Sequence, residues 1–152
     1  MRTAVTQDKE ALTRLINAAF VVEQFVFEGD RVDASGVETY MKTGKFLLAE
    51  HQHELSGCVY VELRGDRGYI GLLSVDPRHQ GTGLGRKLMH AAEDYFRAAG
   101  CTGVDLRVIS QRTPLPAFYR HLGYIETGTA PFAAAAKPKI PGHYILMSKS
   151  LL

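Results

Sequence analysis

The stretch that most constrains the fold is residues 68–100, where three patterns follow one another without a break. An apolar run of strand length, GYIGLLSVDP, leads into a glycine-rich turn, and KLMHAAEDYFRAAG then has helical spacing. The first N–H groups of a helix lack internal partners and the helix dipole adds positive charge there, so this arrangement predicts an anion site. Glycines without Cβ let a phosphate approach the main chain, and arginines add charge. The turn carries Arg78, Gly81, Gly83, Gly85 and Arg86.

Other glycine loops fit this spacing less well. A Walker loop counted from Gly81 needs its second glycine at position 86, and a dinucleotide fingerprint needs its third glycine there, but Arg86 occupies that place. Asp105 lies at a suitable distance for a dinucleotide site, yet such a loop normally follows the first strand of its domain. A plain left-handed turn is the remaining alternative, and three glycines in five residues with flanking arginines favour the anion site over it.

The pattern that fits is R-x-x-G-x-G over residues 78–83, after a strand that ends L-x-V-x-P. It resembles the acetyl-CoA signature of the GNAT superfamily, the acetyl-CoA-dependent N-acyltransferases. The resemblance implies that acetyl-CoA is the cosubstrate, that the loop amides hold its pyrophosphate, and that the preceding strand binds pantetheine through its backbone. The cofactor-binding residues expected from it are Leu73, Ser74, Val75, Arg78, His79, Gln80, Gly81, Thr82, Gly83, Leu84, Gly85 and Arg86.

A second stretch, FYRHLGY at residues 118–124, resembles the family motif in which a tyrosine on a short helix points at the thioester sulfur. Tyr119 matches that tyrosine, and a phenol with a pKa near ~10 is protonated at neutral pH and can donate a proton to the departing thiolate. From periodicity alone, a core tyrosine is an equal alternative. The family's asparagine seven residues earlier is Arg112 here, which leaves its pantetheine-holding role to Arg112 or Ser110.

A general base must take the proton of the attacking amine, and two carboxylates are candidates. The resemblance implies either a glutamate on a central strand or a water relayed to the backbone as base. Glu62 lies on such a predicted strand and is the first choice among the carboxylates. Glu23, just after the first helix, is the second choice and could instead bind a cationic substrate. Both could also be ordinary solvated acids. Phe25, Phe27 and the 128–142 loop are expected to shape the acceptor pocket together with Tyr40.

Length and composition predict one domain over residues 1–152 that needs no disulfide staples. The net charge of +2 with no basic block excludes nucleic acid and membrane surfaces as expected partners. No metal-ligand spacing occurs, Cys58 and Cys101 read as buried free thiols, and neither a signal peptide nor a membrane-spanning run is visible. We therefore expect a cytoplasmic protein without a metal, and leave a homodimer open.

The periodicities predict the element order βαα-βββ-α-β-α-ββ. Thr6 and Ser35 are expected to cap the first two helices, and residues 128–142 to form a long loop. Leu84, Leu88, Ala91, Ala92, Tyr95 and Ala99 are expected to form the buried face of the third helix. This order resembles the whole GNAT fold, an α+β arrangement with one mixed sheet of six to seven strands and about four helices on its two faces.

Two functions from different classes follow from these patterns. The first is an N-acetyltransferase that transfers the acetyl group of acetyl-CoA directly to a primary amine of a small molecule or peptide, with Tyr119 as general acid. The second is a non-catalytic acyl-CoA-binding sensor, which needs the glycine loop but not Tyr119. A nucleotide-phosphate binder rests on the loop alone and is the weakest interpretation. The sequence names no acceptor.

Overall fold

The computed structural model describes residues 1–152, except for the side chain of residue 134. The helices are α1 (Lys9–Phe20), α2 (Ala34–Thr43), α3 (Leu84–Ala98) and α4 (Pro114–His121). The strands are β1 (Arg2–Thr3), β2 (Lys45–His51), β3 (Glu54–Arg64), β4 (Arg67–Val75), β5 (Gly103–Ile109), β6 (Ile125–Pro131) and β7 (His143–Ser150). They form one sheet in the order β1-β2-β3-β4-β5-β7-β6, in which only β4 and β5 pair in parallel. The predicted mixed sheet with four helices is confirmed.

The alternation of side chains along β2 and β3 separates two apolar cores, one on each face of the sheet. One core contains Phe46 and Leu48 from β2 and packs against α1 and α2. The other contains Val59 and Val61 from β3 and packs against α3 and α4. Burial of both faces explains why these strands are rich in apolar residues at successive positions. Cys58 and Cys101 are buried free thiols, as expected, and burial raises the pKa of Cys58 to about 12.

Three local predictions need correction. Helix α1 begins at Lys9 after a 3₁₀ turn over Thr6–Asp8, and Thr6 does not cap it. The Asp8 carboxylate accepts a hydrogen bond from the Val5 N–H at the start of that turn, at 2.8 Å. Helix α2 is capped by Asp33, whose carboxylate accepts from the Gly36 N–H at 2.7 Å, because an acceptor must lie outside the first turn to reach its amides. Residues 128–131 belong to β6, since they pair with β7.

The buried face of α3 also differs from the expected one, because the larger side chains decide which face packs. The buried residues are Leu88, Met89, Ala92, Glu93 and Phe96, whereas Ala99 is exposed. The Phe96 ring lies over Gly68 on β4, where a Cβ atom would come within 2.5 Å of the ring. Glycine at position 68 therefore lets α3 approach the sheet closely.

Strands β4 and β5 separate soon after they meet, which opens the middle of the sheet. Their ladder covers only Arg67–Tyr69 of β4, and the Arg67 guanidinium binds the Asp105 carboxylate at 2.7 and 2.8 Å beside it. Further along β4, Leu72 has a φ of 49°, and the register with β3 shifts at the same place. Such a bulge bends and twists a strand, so the end of β4 leaves β5 and a gap forms between them.

Candidate active site

The gap between β4 and β5 is a cavity of about 850 Å³. Its lining comes from β4 and β5, from the glycine loop and the first turn of α3, and from the segment after α1. Beyond Tyr69 the backbone groups of β4 that face β5 have left the β4–β5 ladder. A cavity lined by backbone donors and acceptors can bind an extended polar chain as an additional strand does.

The glycine loop has the geometry of an anion site. Gly81 and Gly83 have φ values of 78° and 80°, and a Cβ atom at either position would meet only open space. The hydrogen bond from the Lys87 N–H to the Gly83 carbonyl, at 3.2 Å, belongs to the first turn of α3, so the N–H groups of residues 84–86 precede the helical ladder. No acidic residue lies in this first turn, so its positive end stays uncompensated there. Gly85 differs from these two glycines, because its Cβ position is not open but lies 3.5 Å from the Phe118 ring of α4.

Most of the residues expected to bind the cofactor line this cavity. They are Leu73, Val75, His79, Gln80, Gly81, Gly83, Leu84, Gly85, Arg86 and Arg112. Arg86 forms no ion pair with any residue that the structure describes, so its charge is available to a ligand at the loop.

Four side chains of the expected set are bound elsewhere instead. Ser74 Oγ donates to the Leu72 carbonyl at 2.9 Å, and Thr82 Oγ1 donates to the His79 carbonyl at 2.6 Å. The Arg78 guanidinium binds Asp76 at 3.0 Å and faces Glu54 at 3.6 Å. Ser110 Oγ donates to Gln111 at 3.1 Å and accepts from the His143 N–H at 3.1 Å. Their side chains therefore stabilise the loops around the cavity.

Tyr119 lies on α4 with its ring buried and its side chain facing the cavity. Its hydroxyl forms no hydrogen bond with any residue in the described part of the chain, while the ring packs against Phe118 and Tyr124 with centroids 5.1 and 6.0 Å apart. Burial raises the pKa of the Tyr119 phenol above its ordinary value, although the charge of Arg112 opposes the shift. Tyr119 is therefore a protonated donor directed at the cavity.

Glu23, in the segment after α1, and Arg112, after β5, form an ion pair on the lining of the cavity. Arg112 Nη1 donates to Glu23 Oε2 at 2.9 Å, and the Glu23 side chain is only 12% exposed. Burial raises the pKa of the Glu23 carboxyl, and the hydrogen bond from Arg112 partly offsets that shift. The charges of both residues act on Tyr119, so these three side chains form one group.

Glu62 lies outside the cavity lining. Its carboxylate accepts a hydrogen bond from the Tyr60 hydroxyl at 2.6 Å and another from Arg64, whose guanidinium lies 3.9 Å from the centroid of the Tyr69 ring. Partial burial raises the pKa of Glu62, but these hydrogen bonds outweigh it and hold the pKa below its ordinary value. The structure does not bring Glu62 together with Tyr119.

Several lining residues were not expected from the sequence. Of the aromatic residues expected to shape the acceptor pocket, Phe27 and Tyr40 line the cavity, whereas Phe25 is not a lining residue and is 49% exposed. Arg31, Tyr69, Arg107 and Tyr144 are additional lining residues. Arg107 could have been singled out from the sequence, because it is a charged, exposed residue between the buried residues of β5. The described residues contain no cluster of three or more His, Cys, Asp or Glu side chains that could hold a metal ion, and none of the described helices has the length and apolarity to cross a bilayer.

Comparison with known proteins agrees with this geometry. Residues 10–124 match the model of the acetyltransferase (GNAT) family. The chain is 33% identical over 132 residues to a mycothiol acetyltransferase of Saccharopolyspora erythraea, a match that covers 84% of this chain and 43% of that protein. The chain thus spans less than half the length of this relative.

Solved structures share the fold at low sequence identity. The ribosomal-protein-S18-alanine N-acetyltransferase of Escherichia coli superposes with a TM-score of 0.78 at 17% identity, covering 98% of this chain and 91% of that one. The structure of yncA from Salmonella typhimurium with its cofactor acetyl-CoA has a TM-score of 0.78 at 22% identity, covering 99% and 92%. The family match favours an enzyme over a non-catalytic sensor. This chain belongs to the acetyltransferase (GNAT) family.

Proposed function

We propose that this enzyme transfers the acetyl group of acetyl-CoA directly to a primary amine of a small molecule or peptide. The observation that carries the proposal is that the glycine loop, the Tyr119 hydroxyl and the Glu23–Arg112 pair all open into one cavity. A cofactor site and a group able to move protons thus meet in the space between β4 and β5. Direct transfer fits this cavity because none of its lining residues is a cysteine or serine that could form an acyl-enzyme.

The residues present fit acetyl-CoA, which would supply the acetyl group and a thiol leaving group. Positive φ values at Gly81 and Gly83, with open space where their Cβ atoms would be, leave room for phosphate groups at the start of α3. Arg86 would add a cation at the same place. Leu73 and Val75 would present the backbone of β4 to the pantetheine arm, and Arg112 would take the place of the family's asparagine.

Tyr119 is proposed to donate its hydroxyl proton to the departing sulfur. Its raised pKa keeps the phenol protonated, and the lack of a hydrogen bond to any described residue leaves the proton free for a reaction partner. A positioned general acid contributes about 10²–10⁴ in rate. The ring packing against Phe118 and Tyr124 would hold the hydroxyl in place.

Glu23 is proposed to accept the proton of the attacking amine, in preference to Glu62. A base works best when its pKa lies near the working pH, and burial moves the pKa of Glu23 in that direction. Glu62 has a lowered pKa and is occupied by Tyr60 and Arg64. Arg112 would hold the Glu23 carboxylate in position through their 2.9 Å hydrogen bond.

The test is a thiol-release assay with acetyl-CoA, a disulfide dye and a broad panel of amines. Wild-type enzyme should release thiol with at least one amine, and Tyr119→Phe should lower kcat by about 10²–10⁴ while keeping its fold, because the ring packing is retained. Tyr95→Phe is the matched control, because Tyr95 lies on α3 outside the cavity lining and loses the same hydroxyl. A Tyr119→Phe variant within a few-fold of wild type would show that another group protonates the thiolate.

A further inference from the structure

The charged side chains that line the cavity are mostly cationic. They are four arginines and two carboxylates, namely Arg31, Arg86, Arg107, Arg112, Glu23 and Asp30. Arg112 is matched by Glu23 at 2.9 Å, and Arg86 lies at the glycine loop, where the cofactor phosphates are expected. Two arginines, Arg31 and Arg107, therefore remain on the lining against one carboxylate, Asp30.

Arg31 and Arg107 are held by aromatic rings rather than by acids. The Arg31 guanidinium lies 5.7 Å from the centroid of the Phe20 ring, and that of Arg107 lies 4.2 Å from the centroid of Tyr144. Neither side chain forms an ion pair or a hydrogen bond with any residue that the structure describes, Asp30 included. A cation–π contact does not use the N–H donors of a guanidinium, which stay free for a planar anion.

Both arginines belong to the lining of the cavity that also contains Glu23 and Arg112. Arg31 follows the segment that carries Glu23 and is close enough for its charge to act on the Glu23 carboxyl. Arg107 lies on β5 five residues before Arg112. A row of aromatic rings runs from Tyr144, which contacts Arg107, to Phe27 in the segment after α1. Tyr144 packs on Phe132 at 4.9 Å and Phe132 packs on Phe27 at 5.0 Å between the ring centroids. Glu23 and both arginines therefore line one cavity.

We propose that the acceptor is an amine that also carries an anionic group, a carboxylate or a phosphate monoester, bound by Arg31 and Arg107 while the amine faces Glu23 and Tyr119. This inference rests on the proposed function. Polycationic amines fit poorly, because unpaired arginines repel them. An acceptor with an amine and an anion at two ends matches both the Glu23 side and the arginine side of the site.

Paired acceptors that differ only in the anion test the proposal. The pairs are phenylalanine and phenylalaninamide, leucine and leucinamide, and phosphoethanolamine and ethanolamine, measured by thiol release. The anionic member of at least one pair should have a kcat/KM about tenfold or more above its partner, since hydrogen bonds to charged groups are strong. The amide is the less basic amine and has more free base at neutral pH, so a preference for the acid cannot come from amine deprotonation. The pair with the preference identifies the anion as carboxylate or phosphate.

Variants assign the preference to the two arginines. Arg31→Gln and Arg107→Gln should each raise KM for the anionic acceptor about tenfold, with little effect on KM for its neutral partner or for acetyl-CoA. Arg14→Gln is the matched control, because Arg14 is an exposed arginine on α1 that does not line the cavity. Calorimetry without acetyl-CoA gives a second readout, in which the best anionic acceptor binds wild type and the Arg31→Gln/Arg107→Gln double variant does not.

The outcomes separate this inference from the proposed function. Absence of thiol release with every amine would overturn the proposed function and the inference with it. Turnover of the neutral members at equal or higher kcat/KM would overturn the inference alone. A rise in KM for acetyl-CoA in either arginine variant would also overturn it, because the arginine would then belong to the cofactor site.

Discussion

The glycine loop yields the sharpest test of the cofactor site, through the variant Gly83→Ala. Gly83 has a φ of 80°, and a Cβ atom there meets no atom within 4 Å, so alanine causes backbone strain without a clash. A left-handed conformation costs an alanine about 1–2 kcal/mol. For a chain of this size, each kcal/mol lowers Tm by about 2–4 °C. The variant should therefore stay folded, with Tm lowered by about 2–8 °C.

Acetyl-CoA should affect the two proteins very differently. At about 100 times Kd, binding stabilises wild type by about 2.7 kcal/mol, which corresponds to a rise in Tm of about 5–10 °C. In the variant the added methyl group occupies space that Gly83 leaves open beside the first amides of α3. If affinity falls about a hundredfold, the same ligand concentration stabilises by only about 0.4 kcal/mol, and Tm rises by about 1–2 °C.

Gly100→Ala is the matched control for backbone strain. Gly100 has a φ of 82°, its Cβ position is equally open, and it follows the opposite end of α3, outside the cavity lining. Thermal unfolding of the three proteins, each with and without acetyl-CoA, separates strain from binding. Both variants should lose stability, and only Gly100→Ala should keep the full rise. A full rise in Gly83→Ala would refute phosphate binding at this turn.

Three further outcomes are expected. Glu23→Gln should lower kcat in a way that high pH partly restores, whereas Glu62→Gln should stay near wild type; equal pH–rate profiles would remove Glu23 from the chemistry. Arg112→Gln should raise the pKa of Glu23 further, because burial already raises it and Arg112 opposes that shift. Since the base must be ionised, the acid limb of the pH–rate profile should move to higher pH, and a move to lower pH would contradict this. Lys149→Met removes the cation 3.0 Å from the buried Glu93 carboxylate and should lower the free energy of unfolding in urea by about 3–5 kcal/mol, whereas Lys149→Arg keeps the charge and is the control. A loss below about 1 kcal/mol would show that the hydrogen bond from the Tyr124 hydroxyl is enough to stabilise the Glu93 carboxylate.

The order of elements was predictable because it depends on local patterns. The apolar alternation of β2 and β3, the glycine after α3 and the spacing of α1 each report on a few neighbouring residues. The buried face of α3 was only partly predictable, since Phe96 packs inward over Gly68, a contact between residues 28 positions apart. Helix caps failed for a similar reason, because several acids and hydroxyls near each start could serve and only the folded chain selects one.

The candidate site was less predictable, because its carboxylates are chosen by tertiary neighbours. Glu62 has the strand position expected of a base, but Tyr60 and Arg64 take up its carboxylate. Glu23 ends a short 3₁₀ turn after α1, and its partner Arg112 is 89 residues away in sequence. No local pattern connects these two residues, whereas the glycine loop is a continuous stretch and its positive φ values follow from its composition.

The cavity itself depends on Leu72, whose conformation no sequence pattern announces. A φ of 49° is unusual for leucine and costs about 1–3 kcal/mol. The Leu72 side chain is buried in the core under α1 and α2, and burying a leucine contributes about 1.5–3 kcal/mol, enough to offset that strain. Glycine would relieve the strain but would give up this packing. The bulge turns the end of β4 away from β5 while Arg67 and Asp105 hold the start of the two strands together. Packing on one face of the sheet thereby keeps open the gap in which the glycine loop, Tyr119 and Glu23 meet.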